Sequence, residues 1–246
     1  MDTTLILIAA AAFLFAGTIK GLVGLGLPTA FISMLSQVID PRVAIALLFV
    51  PALVLNVRQV QRSGGFRRNL RAVGPFAAVM FVTIWYVSRF AASLNVEAML
   101  IGVGTVIVLF VLSNLLSAPP PIPARLDKPL QVIAGAIAGI MGGLTAIWSP
   151  PMVIYLLARR VDSETFIGTT GILILAGSIP LFFGYWQVGL LTAPLAGVSA
   201  VMIVPALLGF GLGEWMRRRL NPPQFKRLVL VVFFLMGLNL LRKGLL

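Results

Sequence analysis

The stretches GTIKGLVGLGLPTAFISML, residues 17–35, and GAIAGIMGGLTAIWSPPMVIYLL, residues 135–157, share an interrupted apolar pattern. Three glycines of the first stretch have counterparts 118 residues later, and Pro28 has its counterpart, Pro150, 122 residues later. Glycine and proline interrupt helices, and paired interruptions in two long apolar segments are typical of transporters built from internal repeats. The pattern therefore predicts a duplicated chain with one broken helical segment in each half.

The composition predicts a protein that lies in a membrane. Of the 246 residues, 59% are hydrophobic and 11% are charged, so most of the chain cannot face water. Apolar stretches of about 18 residues are long enough to cross a bilayer. Besides the interrupted segments at 5–38 and 129–158, the candidates are residues 43–57, 73–90, 97–116, 163–183, 190–213 and 228–241. The chain has no cysteine and no histidine, which excludes thiol catalysis and the usual zinc and copper ligand sets.

The net charge of +12 is spread over short loops between apolar segments, which is the positive-inside pattern of membrane proteins. A nucleic-acid surface would need a water-facing domain, so nucleic acid is not an expected partner. The strongest basic clusters, at 58–71 and 214–227, are both predicted to be cytoplasmic. If each interrupted segment enters the membrane and returns, 14 basic residues lie inside and 4 outside. This distribution favours two re-entrant hairpins over two simple crossings.

Each half then contains one hairpin and three spanning helices, an odd number of crossings, so the two halves must have opposite orientations. We predict an all-α, polytopic integral membrane protein made of two inverted repeats. Residues 1–116 are expected to form the first repeat, 117–128 a proline-rich cytoplasmic linker and 129–246 the second repeat. The expected surroundings are the lipid bilayer of the inner membrane, and a homo-oligomer is left open. No cofactor and no metal are expected.

The candidate binding site lies at the two interruptions. Serine is a preferred N-cap and proline is favoured in the first helical turn, so Ser149 and Pro150 predict the start of a half-helix, as does Pro28 in the first half. Helix N-termini present free N–H groups and a partial positive charge, which suit a small anionic solute. The predicted substrate-binding residues are Lys20, Gly24, Gly26, Pro28, Thr29, Gly142, Gly143, Thr145, Trp148, Ser149 and Pro150.

The charged residues in or near the apolar segments each have two interpretations. Lys20 is the only basic residue well inside such a segment, and it is either a counter-charge for the substrate or a long side chain that reaches the membrane surface. Asp40 and Asp162 occupy equivalent positions before a helix. We interpret both as helix N-caps in preference to proton-coupling groups.

The glycines of the two stretches also divide into two groups. For those at the interruptions, we expect the backbone freedom of glycine to be the main reason for the residue: Gly24, Gly26, Gly142 and Gly143. For those one or two turns earlier, close packing between helices is an equally good explanation: Gly17, Gly21, Gly135 and Gly139.

The motif G-x-x-x-G-x-x-G-x-G at 17–26 resembles the TauE/SafE sulfite exporter family, and so does G-x-x-x-G-x-x-G-G-x-T followed by S-P-P-x-x-x-Y-L-L-A at 135–158. The resemblance covers essentially the whole chain. It implies a secondary transporter of small sulfur-containing anions such as sulfite, sulfoacetate or thiosulfate, whose halves rock around the half-helix N-termini. The alternatives are an anion channel or a carrier of an unrelated solute. An enzyme is disfavoured because no histidine, cysteine or convergent carboxylate pair is present.

Overall fold

The computed structural model describes residues 3–35, 38–39, 41–88, 122–145, 148–187 and 193–245, and residues 101–112 except 103, 106 and 110. Every regular element in these ranges is a helix, and the described residues between 101 and 112 are helical too. The bounded helices are α1 (Thr3–Val23), α2 (Leu27–Leu35), α3 (Pro41–Arg62), α4 (Phe66–Val87), α5 (Ala124–Thr145), α6 (Ser149–Ala158), α7 (Ser163–Gln187), α8 (Ala193–Val201), α9 (Ile203–Arg217) and α10 (Pro222–Leu245).

Among the described residues, five helical stretches are long and apolar enough to cross a membrane: α1, α4, α7, α10 and the stretch Gly197–Arg217, which runs from α8 into α9. Helices α2 and α6 have 9 and 10 residues, or roughly 14–15 Å, too short to cross a bilayer alone. The fold is therefore that of a multi-pass membrane protein. The re-entrant course of the hairpins and the opposite orientation of the repeats stay predictions.

The helices pack in a reciprocal pattern. Helix α1 packs on α9, and α5, its counterpart in the predicted duplication, packs on α4. Helix α3 packs on α8 and α9, as α7 packs on α4. The short helices α2 and α6 each lie against the helix before and the helix after them. Helices α3 and α7, which are counterparts, pack on each other. These contacts agree with the predicted duplication of the chain.

Glycine permits the closest of these contacts. A Cβ atom on Gly17 would lie 2.5 Å from the carbonyl oxygen of Ala206 in α9, and one on Gly135 would lie 2.7 Å from the carbonyl oxygen of Phe76 in α4. The glycines one turn later, Gly21 and Gly139, make the same kind of approach. Close backbone packing therefore accounts for these four glycines.

The buried apolar side chains form two separate cores, neither of which follows the sequence halves. The first core joins α1, α2 and α3 to α9, and includes Phe13, Phe31, Leu47, Leu55, Ala206 and Phe210. The second core joins α5, α6, α7 and α10 to α4, and includes Phe76, Met80, Ala138, Met152, Phe166, Leu173 and Phe233. The ends of α1 and α3 also reach it, through Val23 and Val60. Helix α4, from the first half of the sequence, therefore packs mainly with helices of the second half, and α9, from the second half, packs with helices of the first.

Several predicted boundaries differ from the structure. Helix α3 continues to Arg62, beyond the predicted segment 43–57, so the expected basic loop is reduced to residues 63–65. Helix α5 begins at Ala124, five residues before the proposed repeat boundary, although it contains Pro129. Pro129 lies in the second turn, where it has no N–H to donate to the carbonyl oxygen of Arg125. Residues 117–121 of the predicted linker lie outside the described residues, and residues 124–128 belong to α5.

Candidate functional site

The first interruption is a short non-helical connection at residues 24–26. Gly24 and Gly26 have φ angles of 84° and 92°, in the left-handed region that side chains other than hydrogen disfavour. The expected backbone role of both glycines is thereby confirmed. Helix α2 begins at Leu27, one residue before the predicted Pro28. Pro28 is exposed, and the side chain of Thr29 lies outside the described part of the chain.

Gln59 of α3 holds this interruption against α7. Its Nε2 donates hydrogen bonds to the carbonyl oxygens of Gly24 at 3.0 Å and Ile167 at 2.8 Å, and to Oγ1 of Thr170 at 3.1 Å. Gln59 is fully buried, and its Oε1 has no hydrogen-bond partner. Asn56, one turn earlier on α3, also has a buried oxygen without a partner. Gln59 Oε1 therefore lies beside the interruption without a donor among the described residues.

Lys20 lies inside the protein, one turn before the interruption. It is 2% exposed and continues the buried side of α1 that contains Phe13 and Ala16. The side chain therefore does not reach the membrane surface, which removes one of its two predicted interpretations. Among the described residues, no carboxylate forms an ion pair with Lys20. Its position in the last turn of α1 lets it offset the partial negative charge of the helix C-terminus.

The second interruption is built differently from the prediction. Helix α5 continues through Gly142 and Gly143 to Thr145, so these glycines do not provide a non-helical backbone. They are required for packing, because a Cβ on Gly142 would meet the ring of Trp148 at 3.0 Å and one on Gly143 would meet Val87 at 2.9 Å. The side chain of Thr145 and residues 146–147 lie outside the described residues.

Helix α6 begins at Ser149, with Trp148 at the N-cap and no side-chain capping hydrogen bond. The prediction that Ser149 caps the helix is therefore wrong by one residue. Pro150 and Pro151 occupy the first turn and have no N–H groups. Fewer backbone donors are therefore available here than at an ordinary helix N-terminus.

Trp148 fills the space between two helices at this point. Its ring contacts Gly142 of α5 and lies 2.9 Å from the position a Cβ would take on Gly177 of α7. Trp148 is 8% exposed, and its indole Nε1 has no hydrogen-bond partner in the part of the chain that the structure describes. A buried N–H donor thus lies beside a helix N-terminus that two prolines have deprived of donors.

Helix α7 is the element that both interruptions contact. Gly24 approaches α7 at Thr170, and Trp148 approaches it at Gly177. Seven residues of α-helix correspond to roughly 10 Å along the axis. The structure thus places the two predicted half-sites along the middle of one helix. Gly24 also lies next to Leu25, which belongs to the second core, and Leu27, which belongs to the first. The first interruption lies at the boundary between the cores.

An ion network that the sequence analysis did not identify joins α1, α3, α7 and α9. Glu214, whose side chain is 5% exposed, pairs with Arg62 at 3.1 Å and lies 3.9 Å from Arg217. Arg217 is equally buried, lies 3.6 Å from Glu164 and donates a 3.2 Å hydrogen bond to the carbonyl oxygen of Gly21. Because Glu214 and Arg217 belong to one half and Arg62 and Gly21 to the other, this network ties the two halves together.

A second network of ion pairs and hydrogen bonds also connects the two halves, and it joins α4 to α5 and α6. Asp127 pairs with Arg159 at 3.2 Å and accepts a 2.7 Å hydrogen bond from the Tyr155 hydroxyl. Arg159 and Gln131 in turn donate to the carbonyl oxygen of Ala72 in α4, at 2.9 and 3.0 Å. These residues lie near segments that loop charge predicts to be cytoplasmic. Both networks therefore lie at the same predicted face of the protein, the cytoplasmic one.

Asp162 caps α7, as predicted. Its Oδ1 accepts a hydrogen bond from the backbone N–H of Thr165 at 2.9 Å, and its Oδ2 accepts one from the Thr165 hydroxyl at 2.6 Å. Partial burial raises the pKa of Asp162, but these hydrogen bonds and those from nearby backbone amides outweigh it, so the pKa lies below its ordinary value. Asp40 lies outside the described residues.

The described part of the chain is helical, has five stretches able to span a bilayer and contains two interrupted segments, which is the architecture of a membrane transporter. Residues 9–240 match the family model described as sulfite exporter TauE/SafE. The chain belongs to this family of membrane transporters. Searches of curated proteins and of solved structures each found no match.

Proposed function

We propose that this chain is a secondary transporter of a small sulfur-containing anion of the sulfite, organosulfonate or thiosulfate class. The observation that carries the proposal is Lys20, a lysine that is 2% exposed and has no ion-pair partner among the described residues. A buried ammonium group without a counter-charge is costly, and a bound anion offsets that cost. The family description supports the same class of solute.

Two further groups support an anion. The N-terminus of α2 follows Gly26 directly and carries a partial positive charge. At the second interruption, the Trp148 Nε1 group supplies an unpartnered donor beside the N-terminus of α6. We propose that substrate oxygens accept hydrogen bonds from this indole and from Ser149, while Lys20 supplies the charge. Thr170 and Gly177, where the two interruptions contact α7, are roughly 10 Å apart along the helix. Either the substrate binds at two successive positions along α7, or movement of the helices brings the two interruptions together.

Alternating access requires two groups of helices that move relative to each other. The packing indicates which helices move together. The reciprocal contacts support the predicted inverted repeats, but the two cores each combine helices from both halves. We propose that the moving bodies are the cores: α1, α2, α3 and α9 against α4, α5, α6, α7 and α10. Rocking of the sequence halves would instead separate the glycine contacts between α1 and α9 and between α4 and α5. The first interruption lies where the two cores meet.

Transport into proteoliposomes tests the proposal. Purified protein should take up labelled sulfite, thiosulfate or a small sulfonate at a saturable rate. Lys20→Met should raise the KM at least tenfold, because one charge-assisted contact to an anion contributes about 1.5–3 kcal/mol. Lys128→Met removes an exposed lysine near the predicted cytoplasmic face and is the matched control, with an unchanged KM.

Two outcomes would contradict the proposal. A folded Lys20→Met variant with the parental KM would exclude Lys20 as the counter-charge. A folded parent protein that neither binds nor moves any sulfur oxyanion would exclude the substrate class. Ion currents at channel-like rates in a planar bilayer would replace the carrier mechanism with the channel alternative.

A further inference from the structure

A groove with a volume of about 510 Å³ lies between the end of α9, the start of α10 and the end of α1. Its walls are apolar along most of their length and include Leu22, Leu228 and Val231. Arg219 and Arg227 also line the groove, while no carboxylate does. The groove thus combines an apolar channel with two positive charges.

The two guanidinium groups are available to a ligand. Neither Arg219 nor Arg227 belongs to the ion pairs that the described residues form, and both are exposed. The guanidinium carbon of Arg219 lies over the Trp215 ring, 3.7 Å from its centroid, so the group rests against the indole. A guanidinium held in this way keeps its N–H edge free for the bidentate hydrogen bonds that phosphate oxygens accept.

The expected position of the groove in the bilayer indicates that the phosphate belongs to a lipid head group. Trp215 is 52% exposed at the end of a candidate membrane span, where tryptophan is typical of the membrane–water interface. The arginines follow it in the loop and the first turns of α10, at the depth of lipid head groups. Below them the groove continues along the apolar surface of α10, where Val231 is 48% exposed.

We propose that this groove binds an anionic phospholipid. The phosphate lies between Arg219 and Arg227, and an acyl chain lies along Leu22, Leu228 and Val231. Loop charge predicts that this is the cytoplasmic leaflet. A lipid bound there contacts α1, α9 and α10 at once, so it stabilises their arrangement. The proposal is independent of the transported solute.

The test compares lipids by their effect on thermal unfolding of the purified full-length protein in a neutral detergent. Phosphatidylglycerol should raise the melting temperature, whereas phosphatidylcholine, which has no net charge, should not. In the double variant Arg219→Gln/Arg227→Gln, the affinity for phosphatidylglycerol should fall about 30-fold, since each arginine at a membrane surface contributes about fivefold. The double variant Arg67→Gln/Arg68→Gln removes two exposed arginines from the other basic region and should keep the parental affinity.

Inorganic phosphate at the same concentration distinguishes the lipid from a free anion. No shift with inorganic phosphate is expected, because it cannot occupy the apolar part of the groove. An equal shift with inorganic phosphate would overturn the lipid as the occupant. Equal stabilisation by the two lipids, or equal losses in the two double variants, would overturn the site. Native mass spectrometry provides a second measurement, with one phosphatidylglycerol retained by the parent and by the control and lost from Arg219→Gln/Arg227→Gln.

Discussion

Replacement of Glu214 by glutamine should lower the free energy of unfolding, and the size of the loss should depend on how deeply the Glu214 side chain is buried. The Glu214 carboxylate lies 3.9 Å from Arg217, and both side chains are 5% exposed. At this separation and an effective dielectric constant of about 20, their attraction is about 4 kcal/mol. Arg62 and Arg218 also contact the carboxylate, but they are 46% and 62% exposed, so each contributes at most about 1 kcal/mol.

Part of this attraction is offset, because glutamine avoids the cost of burying a carboxylate. We therefore expect Glu214→Gln to lose about 2–3 kcal/mol of unfolding free energy, which corresponds to roughly 5–10 °C in melting temperature for a chain of this size. The assay is thermal unfolding of the purified protein in detergent at neutral pH. Glu164→Gln is the matched control, since Glu164 lies 3.6 Å from the same Arg217 but is 53% exposed.

The control should melt within about 2 °C of the parent, because solvent screens an exposed pair. Equal losses in the two variants would refute the argument that burial gives Glu214 its importance. So would a Glu214→Gln variant with the parental melting temperature, which would mean that the network contributes no net stability.

Two further predictions concern packing and pH. Gly21→Ala places a Cβ against the carbonyl oxygen of Phe210 and should cost about 1–3 kcal/mol in thermal unfolding, while Gly211→Ala, where a Cβ meets nothing within 4 Å, should be neutral or stabilising. A Gly21→Ala variant as stable as Gly211→Ala would contradict the close contact. Because folding lowers the pKa of Asp162, its contribution is present above the ordinary value of 3.8 and is lost as the pH falls through the lower folded value. The stability difference between the parent and Asp162→Asn should therefore be constant at neutral pH and shrink below about pH 4, and a difference that grows on acidification would reverse the assigned direction.

The membrane class and most helices could be predicted because they depend on local composition. Apolar length, loop charge and proline positions all act within about 20 residues, and they identified the helices on both sides of each interruption. The left-handed glycines of the first interruption were predicted for the same reason, since Gly24 and Gly26 are surrounded by residues that otherwise continue a helix.

The parts that were missed or wrong depend on distant contacts. Gln59 falls beyond the apolar segment 43–57, and only its hydrogen bond to Ile167, 108 residues later, shows that it is buried. Glu214 lies in a region whose charge suggested a loop, and α1 and α3 bury it. Gly142 and Gly143 resemble a helix break in sequence, but the ring of Trp148 and the side chain of Val87 require small residues within an intact helix.

The glycine contact between α1 and α9 also has a consequence for how the protein is made. Gly17 meets Ala206, so the partner of the first helix is synthesised only after almost the whole chain has entered the membrane. At about 5–20 residues per second, that interval is roughly 10–40 s. During this time α1 lies in the bilayer with its glycine surface uncovered. Lys20 is then surrounded by lipids or by the helices that are synthesised before α9. Arrival of α9 is therefore the step that completes the first core, and chains truncated before residue 206 should be the ones that the quality-control proteases of the membrane remove.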